Sequence, residues 1–333
     1  MQKKIKIIAA LMAAFMLIGI AACGADEPAA PQAEGDPGAS IAPASPVVAG
    51  SAVEGQGQEI TLDREGNPII LPDRIERIIS MGPSNTEVLV ALGFGDIIIA
   101  TDDYSSNIAG INPNIPMFSM MQPDGEQIIN LMPDVMFVTG MSRAGGNEPY
   151  RIVADAGICL IYMPSSSSIE AIKEDIIYMA SIMGVVEKGA EIIAEMESEI
   201  ERISTVGATI AERKSVYFEV AAAPHMVSFG TGVFLDEMIE LVGAVNVLAD
   251  LDGWKSVSDE VIMAADPDVI LTSVNYIAEP IIEIKTRPGW DAIKAVSDDA
   301  VFYIDTDASN RPSHNIVIAL REIALAVYPE FYS

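Results

Sequence analysis

The sequence predicts an α/β protein made of two similar lobes, each built on a central sheet, joined by one long rigid α-helix. Three observations lead there. From residue 59 onward, short β-rich runs alternate with helical stretches, as in parallel sheets with crossover helices. Near the middle, an apolar seam continues for about 28 residues. On either side of it, acids, glycines and Pro-Asp pairs recur at matching offsets. At 333 residues the chain has room for two domains and a sizeable core.

The elements follow in order. Lys3, Lys4 and Lys6 precede an apolar run from Ile7 to Ile20, and then come Ala21, Ala22 and Cys23. The run is shorter than the roughly 20 residues a transmembrane helix needs, so residues 1–22 read as a secretory signal. An ordinary signal with an incidental cysteine is the plainer alternative to cleavage before Cys23. Residues 23–58 form a tether rich in Ala, Pro and Gly, with five acids and neither Lys nor Arg after Cys23. Residues 59–165 make the first lobe. It opens with a hairpin, Ile60–Leu62 and Ile69–Leu71, split by Gly66-Asn67-Pro68. Strands are expected at Arg77–Met81, Ile97–Ala100, Val135–Thr139 and Ile158–Tyr162, with helices at Glu87–Leu92 and Glu126–Met132. Ser84 to Glu87 spells a capping box, in which two side chains satisfy free N–H groups at a helix start.

Residues 166–213 are helical, and their bridging helix is expected over 186–213. Ile193, Met196, Ile200, Ile203, Gly207 and Ile210 recur at steps of three and four, which places them on one helix face. A coiled-coil dimer would need a longer seam, so the rod is read as packed on its own lobes and the chain as a monomer. Residues 214–333 make the second lobe. There Glu260 precedes Pro267-Asp268 by the spacing that separates Glu126 from Pro133-Asp134, and each pair leads into a strand. Glu87 precedes Gly93, Asp96 and Asp102 as Glu237 precedes Gly243, Asn246 and Asp252.

Composition removes several functions. Nineteen Lys plus Arg against 48 Asp plus Glu give a formal charge of −29, which phosphate backbones and anionic lipids repel, so nucleic acid is excluded as a partner. Two histidines and two cysteines cannot build a zinc finger or a disulfide framework, and no metal site or resident cofactor is expected. Cys159, within the apolar run Ile158–Ile161, reads as a small core residue. No nucleophile elbow, phosphate loop or zinc-protease helix occurs, so nothing proposes an enzyme.

The segments ERIISMGPSNTEVLVALGFGD, EQIINLMPDVMFVTG, WKSVSDE followed by PDVIL, PGWDAIKAV and NRPSHNIVIALREIALAVYPE, in that order, resemble the substrate-binding lipoproteins of ABC importers for ferric siderophores, haem and cobalamin. The residues before Cys23 resemble a lipobox, with Ile20 where Leu is usual. The resemblance implies a lipid on Cys23 at the outer face of the cytoplasmic membrane, in a periplasm or at a cell surface. It also implies a ligand cleft between the lobes and a permease, with its ATPase, as partner. Glu126 and Glu260 match the two glutamates through which that family docks on the permease. A non-transport surface lipoprotein, sensor or adhesin, and an extracellular hydrolase are the other classes in contention.

Ligands of open α/β sheets bind beyond the carboxyl ends of the strands. Those ends offer Ser84, Asn85, Tyr104, Met141 and Arg143 in the first lobe, and His225, Asn275, Tyr276 and Arg311 in the second. Met121 and Trp254 lie in loops that the resemblance turns toward the cleft. The expected ligand is a metal chelate, a ferric siderophore first, with haem or cobalamin next. Two strand-end arginines, with Lys255 nearby, are few for a trianionic catecholate, and the aromatic and methionine surface suits a neutral hydroxamate or a macrocycle better.

Overall fold

The computed structural model describes residues 60–332; the signal segment, Cys23 and the tether to residue 58 lie outside the described residues. Five strands form the first sheet: β1 (Ile78–Met81), β2 (Ile98–Asp102), β3 (Met117–Phe118), β4 (Val135–Thr139) and β5 (Cys159–Met163), all parallel in the order β3-β2-β1-β4-β5. Between them lie α1 (Pro83–Ala91), α2 (Gly125–Asn130) and α3 (Arg151–Asp155). The four expected strands are present to within a residue or two. The opening hairpin shrinks to a single antiparallel bridge, Leu62 to Pro68. Asp63 accounts for that: its carboxylate accepts from the N–H groups of Glu65 and Asn67, which closes a tight turn, and from Tyr162 N–H at 3.1 Å, which fastens the turn to β5.

Two helices follow, α4 (Ile169–Ile182) and α5 (Val186–Gly207). The expected seam is correct in register, since Met196, Ile203 and Gly207 are buried and Ile193 and Ile200 pack against the core. The rod stops at Gly207, short of Arg213, and at 22 residues it spans about 33 Å. Gly207 explains the stop. A Cβ there would lie 2.2 Å from the Leu241 carbonyl, so only glycine lets the rod end against backbone. Beyond it, Arg213 turns aside and donates to the carbonyls of Gly243 and Ala244.

The second sheet is parallel, in the order β11-β10-β6-β8, from β6 (Ser215–Glu219), β8 (Val245–Asn246), β10 (Val269–Thr272) and β11 (Val301–Tyr303). A separate antiparallel pair joins β7 (Val227–Phe229) to β9 (Trp254–Ser256). The helices here are α6 (Phe234–Leu241), α7 (Asp259–Ala265), α8 (Pro280–Lys285), α9 (Lys294–Ser297), α10 (Thr306–Asn310), α11 (Ile316–Val327) and α12 (Pro329–Tyr332).

The sequence repeat is a structural one. Asp134 accepts from Arg77 N–H at 2.8 Å and donates its own N–H to Arg77 O; Asp268 does the same with Ser215 at 2.7 Å. Each aspartate thus pins the start of the first strand of its sheet to the strand beside it. Gly93 and Gly243 both take positive φ, 97° and 85°, at the ends of α1 and α6. The orders β2-β1-β4-β5 and β8-β6-β10-β11 therefore correspond strand by strand.

Strand residues alternate between two apolar layers. Ile78, Val135 and Phe137 face α4 and α5, while Ile79, Met136 and Val138 face the outer helices, so both faces are covered, as parallel sheets require. The inner layer continues without a break through Met179, Met196 and Ile203 to Phe218, Leu271 and Leu320 of the second lobe. Each fully buried side chain of this kind contributes about 1.5–3 kcal/mol, and because one core serves both lobes they are held as a unit.

Candidate functional site

A charged cluster joins segments that follow the strands of the two lobes. Glu87, on α1, is buried and accepts from Arg311 Nη1 at 2.9 Å, from Ser313 Oγ and from Asn315 Nδ2 at 2.9 Å, all on the segment between α10 and α11. Arg311 Nη2 donates to Tyr104 O and to Asn107 Oδ1, both at 3.0 Å, and Asn107 Nδ2 reaches Asp307. This clamp corrects the capping-box expectation. Helix α1 starts at Pro83 with no side-chain cap, and the Glu87 carboxylate is spent across the lobe boundary. His314, inside the same segment, is pulled below its ordinary pKa by burial, against the field of Glu87.

Behind the first lobe's strand ends lies a polar network. Asp102 is fully buried; it accepts from Ser105 Oγ at 2.6 Å and from Tyr104 N–H at 2.8 Å, and burial raises its pKa against those hydrogen bonds. Thr86 Oγ1 joins Ser80 and Ser105. The second lobe has an ionic counterpart. Glu219, the last residue of β6, accepts from Arg287 Nη1 at 2.6 Å and Nη2 at 2.8 Å, and the guanidinium lies 4.4 Å from the Trp290 ring centroid. Burial opposes the Arg287 charge, but the carboxylates of Glu219 and Glu283 outweigh it and hold the pKa above its usual value. Arg287 also touches Met226 Sδ, so this pair supports the loop that carries His225.

Tyr104, Met141, His225, Trp254 and Asn275 are exposed, while Ser84, Met121 and Tyr276 are half-buried. Trp254 stands edge-on to Phe229 with centroids 5.8 Å apart, and the Tyr276 hydroxyl accepts from Ala222 N–H at 2.8 Å, tying it to the His225 loop. Two positions differ in kind from the rest. Asn85 is buried, so it belongs to the interior of α1's first turn. Arg143 turns to the opening turn, pairing with Glu148 at 2.7 Å and Glu65 at 3.4 Å above the Tyr162 ring. It lines a groove of about 610 Å³ along β5, and a second groove, of about 1040 Å³, opens where α4, α5 and α6 converge. Neither groove is lined by strand ends from both lobes.

Glu126 and Glu260 are exposed in the first turns of α2 and α7, the helices that lead into β4 and β10. The Ser258 hydroxyl lowers the Glu260 carboxyl's pKa. Glu87, Asn107, Ser313 and Asn315 had no local signature, because their partners in the clamp are about 200 or more positions away. The one available signal was the pairing of Glu87 with Glu237, which likewise bonds outside its own helix, to Ile169 N–H at 2.9 Å.

Residues 78–308 match the family profile described as periplasmic binding protein. The uncharacterized ABC transporter substrate-binding lipoprotein YvrC of Bacillus subtilis is 27% identical over 279 residues, covering 82% of this chain and 87% of that protein. The vitamin B12-binding protein of Vibrio cholerae is 25% identical over 256 residues, covering 76% and 89%. A possible iron-binding, periplasmic solute-binding protein from Staphylococcus epidermidis superposes with a TM-score of 0.69 at 25% identity, covering 77% of this chain and all of that one.

Proposed function

Because the chain belongs to the periplasmic binding protein family, we propose that it is an extracytoplasmic binding lipoprotein that captures a metal chelate and delivers it to an ABC importer. In this reading Cys23 carries the lipid at the outer face of the cytoplasmic membrane, and the permease with its ATPase is the partner. The ligand occupies the space between the strand ends, against Tyr104, Met121, Met141, His225, Trp254, Asn275 and Tyr276. Ferric siderophores come first as candidates, with haem or cobalamin next. Among the described residues no helix is long and apolar enough to cross a membrane.

The observation that carries the reading is the equivalence of Glu126 and Glu260. Each is an exposed acid one helix ahead of a corresponding strand, each strand start is pinned by an aspartate, and a shared core fixes the distance between them. Two rigidly spaced carboxylates suit a partner with two basic patches, which they engage by electrostatic complementarity. The test is uptake of a labelled chelate into vesicles holding the cognate importer. Uptake should need the chain and a chelate it binds; a chain that binds chelates yet supports no uptake would leave the surface-lipoprotein alternative standing.

A further inference from the structure

We infer that the cleft takes a metal complex with no net negative charge, a neutral or singly cationic chelate whose periphery is amide or hydroxamate. The inference rests on the chelate reading above and narrows it. Anionic oxygens are costly to bury, and proteins offset that cost with guanidinium groups that are free to bond them in pairs. Here the guanidiniums at the strand ends are already outnumbered by acids. Arg311 bonds Glu87 at 2.9 Å and Asp307 at 2.8 Å, and Asp102 lies within its field. Its Nη2 also donates to Tyr104 O and Asn107. Arg143 sits between Glu148 and Glu65, and Arg287, between Glu219 and Glu283, is buried. No one of the three can turn to a ligand without abandoning a carboxylate.

What is left near the cleft favours uncharged surface. Lys255, beside Trp254, makes no ion pair among the described residues and can meet a single anionic group, whereas the side chain of Asp103 is exposed next to Tyr104. Recruiting Arg311 for an anion would also dismantle the contact that joins the lobes. Tyr104, Trp254 and Met141 instead offer partly exposed aromatic and thioether surface, which binds an apolar or amide-rimmed complex without a charge partner.

The test is tryptophan fluorescence of the purified full-length chain in detergent, titrated with five probes. They are cyanocobalamin, a neutral ferric trihydroxamate, the same chelate bearing an ammonium, a trianionic ferric tricatecholate, and haemin with its two propionates. A neutral or cationic member should bind at least roughly tenfold more tightly than the tricatecholate and haemin. Tightest binding of the tricatecholate or haemin would overturn the inference and leave chelate capture intact. Failure of all five to bind would overturn both.

Discussion

Substituting Arg311 by Met isolates the clamp between the lobes. The Glu87 side chain is 8% exposed and that of Arg311 11%, so the pair is nearly dry. At about 4 Å between charge centres and an effective dielectric constant near 20, their attraction is roughly 4 kcal/mol. Removing one partner of a buried pair typically costs about 3–5 kcal/mol, since the other charge is left uncompensated. Ser313 and Asn315 still donate to Glu87 in the variant, and two such hydrogen bonds offset about 1 kcal/mol each. The expected loss is therefore about 1–3 kcal/mol, or roughly 2–10 °C in Tm for a body of this size. Circular dichroism melts of the wild type, Arg311→Met, Glu87→Gln and the double variant form a cycle. Neutralising both partners should recover much of the loss, with a coupling energy of about 2 kcal/mol. If Arg311→Met cost under about 1 kcal/mol and the two single effects simply added, the clamp would contribute nothing and the reasoning fails.

Four further outcomes are expected. Cys23→Ser should move the protein from the membrane fraction to the soluble one, and equal release of both forms would remove the anchor from the proposal. Charge reversal by Glu126→Lys or Glu260→Lys should abolish importer coupling while leaving Tm and chelate affinity unchanged, since both side chains are exposed; lost affinity in a binding titration would refute the docking role. Gly207→Val should destabilise the chain by at least about 2 kcal/mol in urea unfolding, because a Cβ there meets the Leu241 carbonyl at 2.2 Å. Hydrogen bonds from Arg202 and then Arg321 hold the Glu199 carboxyl down to about 2 from an ordinary 4.5. Its stabilising contribution is therefore complete above pH 4.5 and is lost as pH falls toward 2; with both arginines half exposed, about 1 kcal/mol is expected, and Glu199→Gln should flatten urea stability across that window.

Much of the fold was legible because its signals are local. The strands from Ile78 to Met163 follow from short apolar β-rich runs between helical stretches, the seam of the rod from a period of 3.6, and the Pro-Asp repeat marks a pin that both sheets use. What stayed hidden depends on partners far away in sequence. Glu87 looks like the end of a capping box only while Arg311 is unknown. Arg143 looks free until Glu65 and Glu148 close on it, and Asn85 looks like a surface group until α1 folds it inward. The rod's end was misjudged because Ile210 stays on the seam and is buried, although the helix has already broken at Gly207 against the Leu241 backbone.

The clamp also sets an order of events during export. Glu87 crosses the membrane early, whereas its partners at 311–315 and the helix α11 behind them arrive in the final stretch of chain. Both sheets close from nearer segments and are complete before that stretch arrives, so the clamp between Glu87 and residues 311–315 is the last link between the lobes to form. A product cut short by two dozen residues would keep both sheets. It would also display a carboxylate without its cation and the bare flank of the rod that α11 covers, where Leu320 and Ile323 belong to the common core. Such a chain carries its own mark of incompleteness, legible to any extracytoplasmic protease that reads exposed apolar surface.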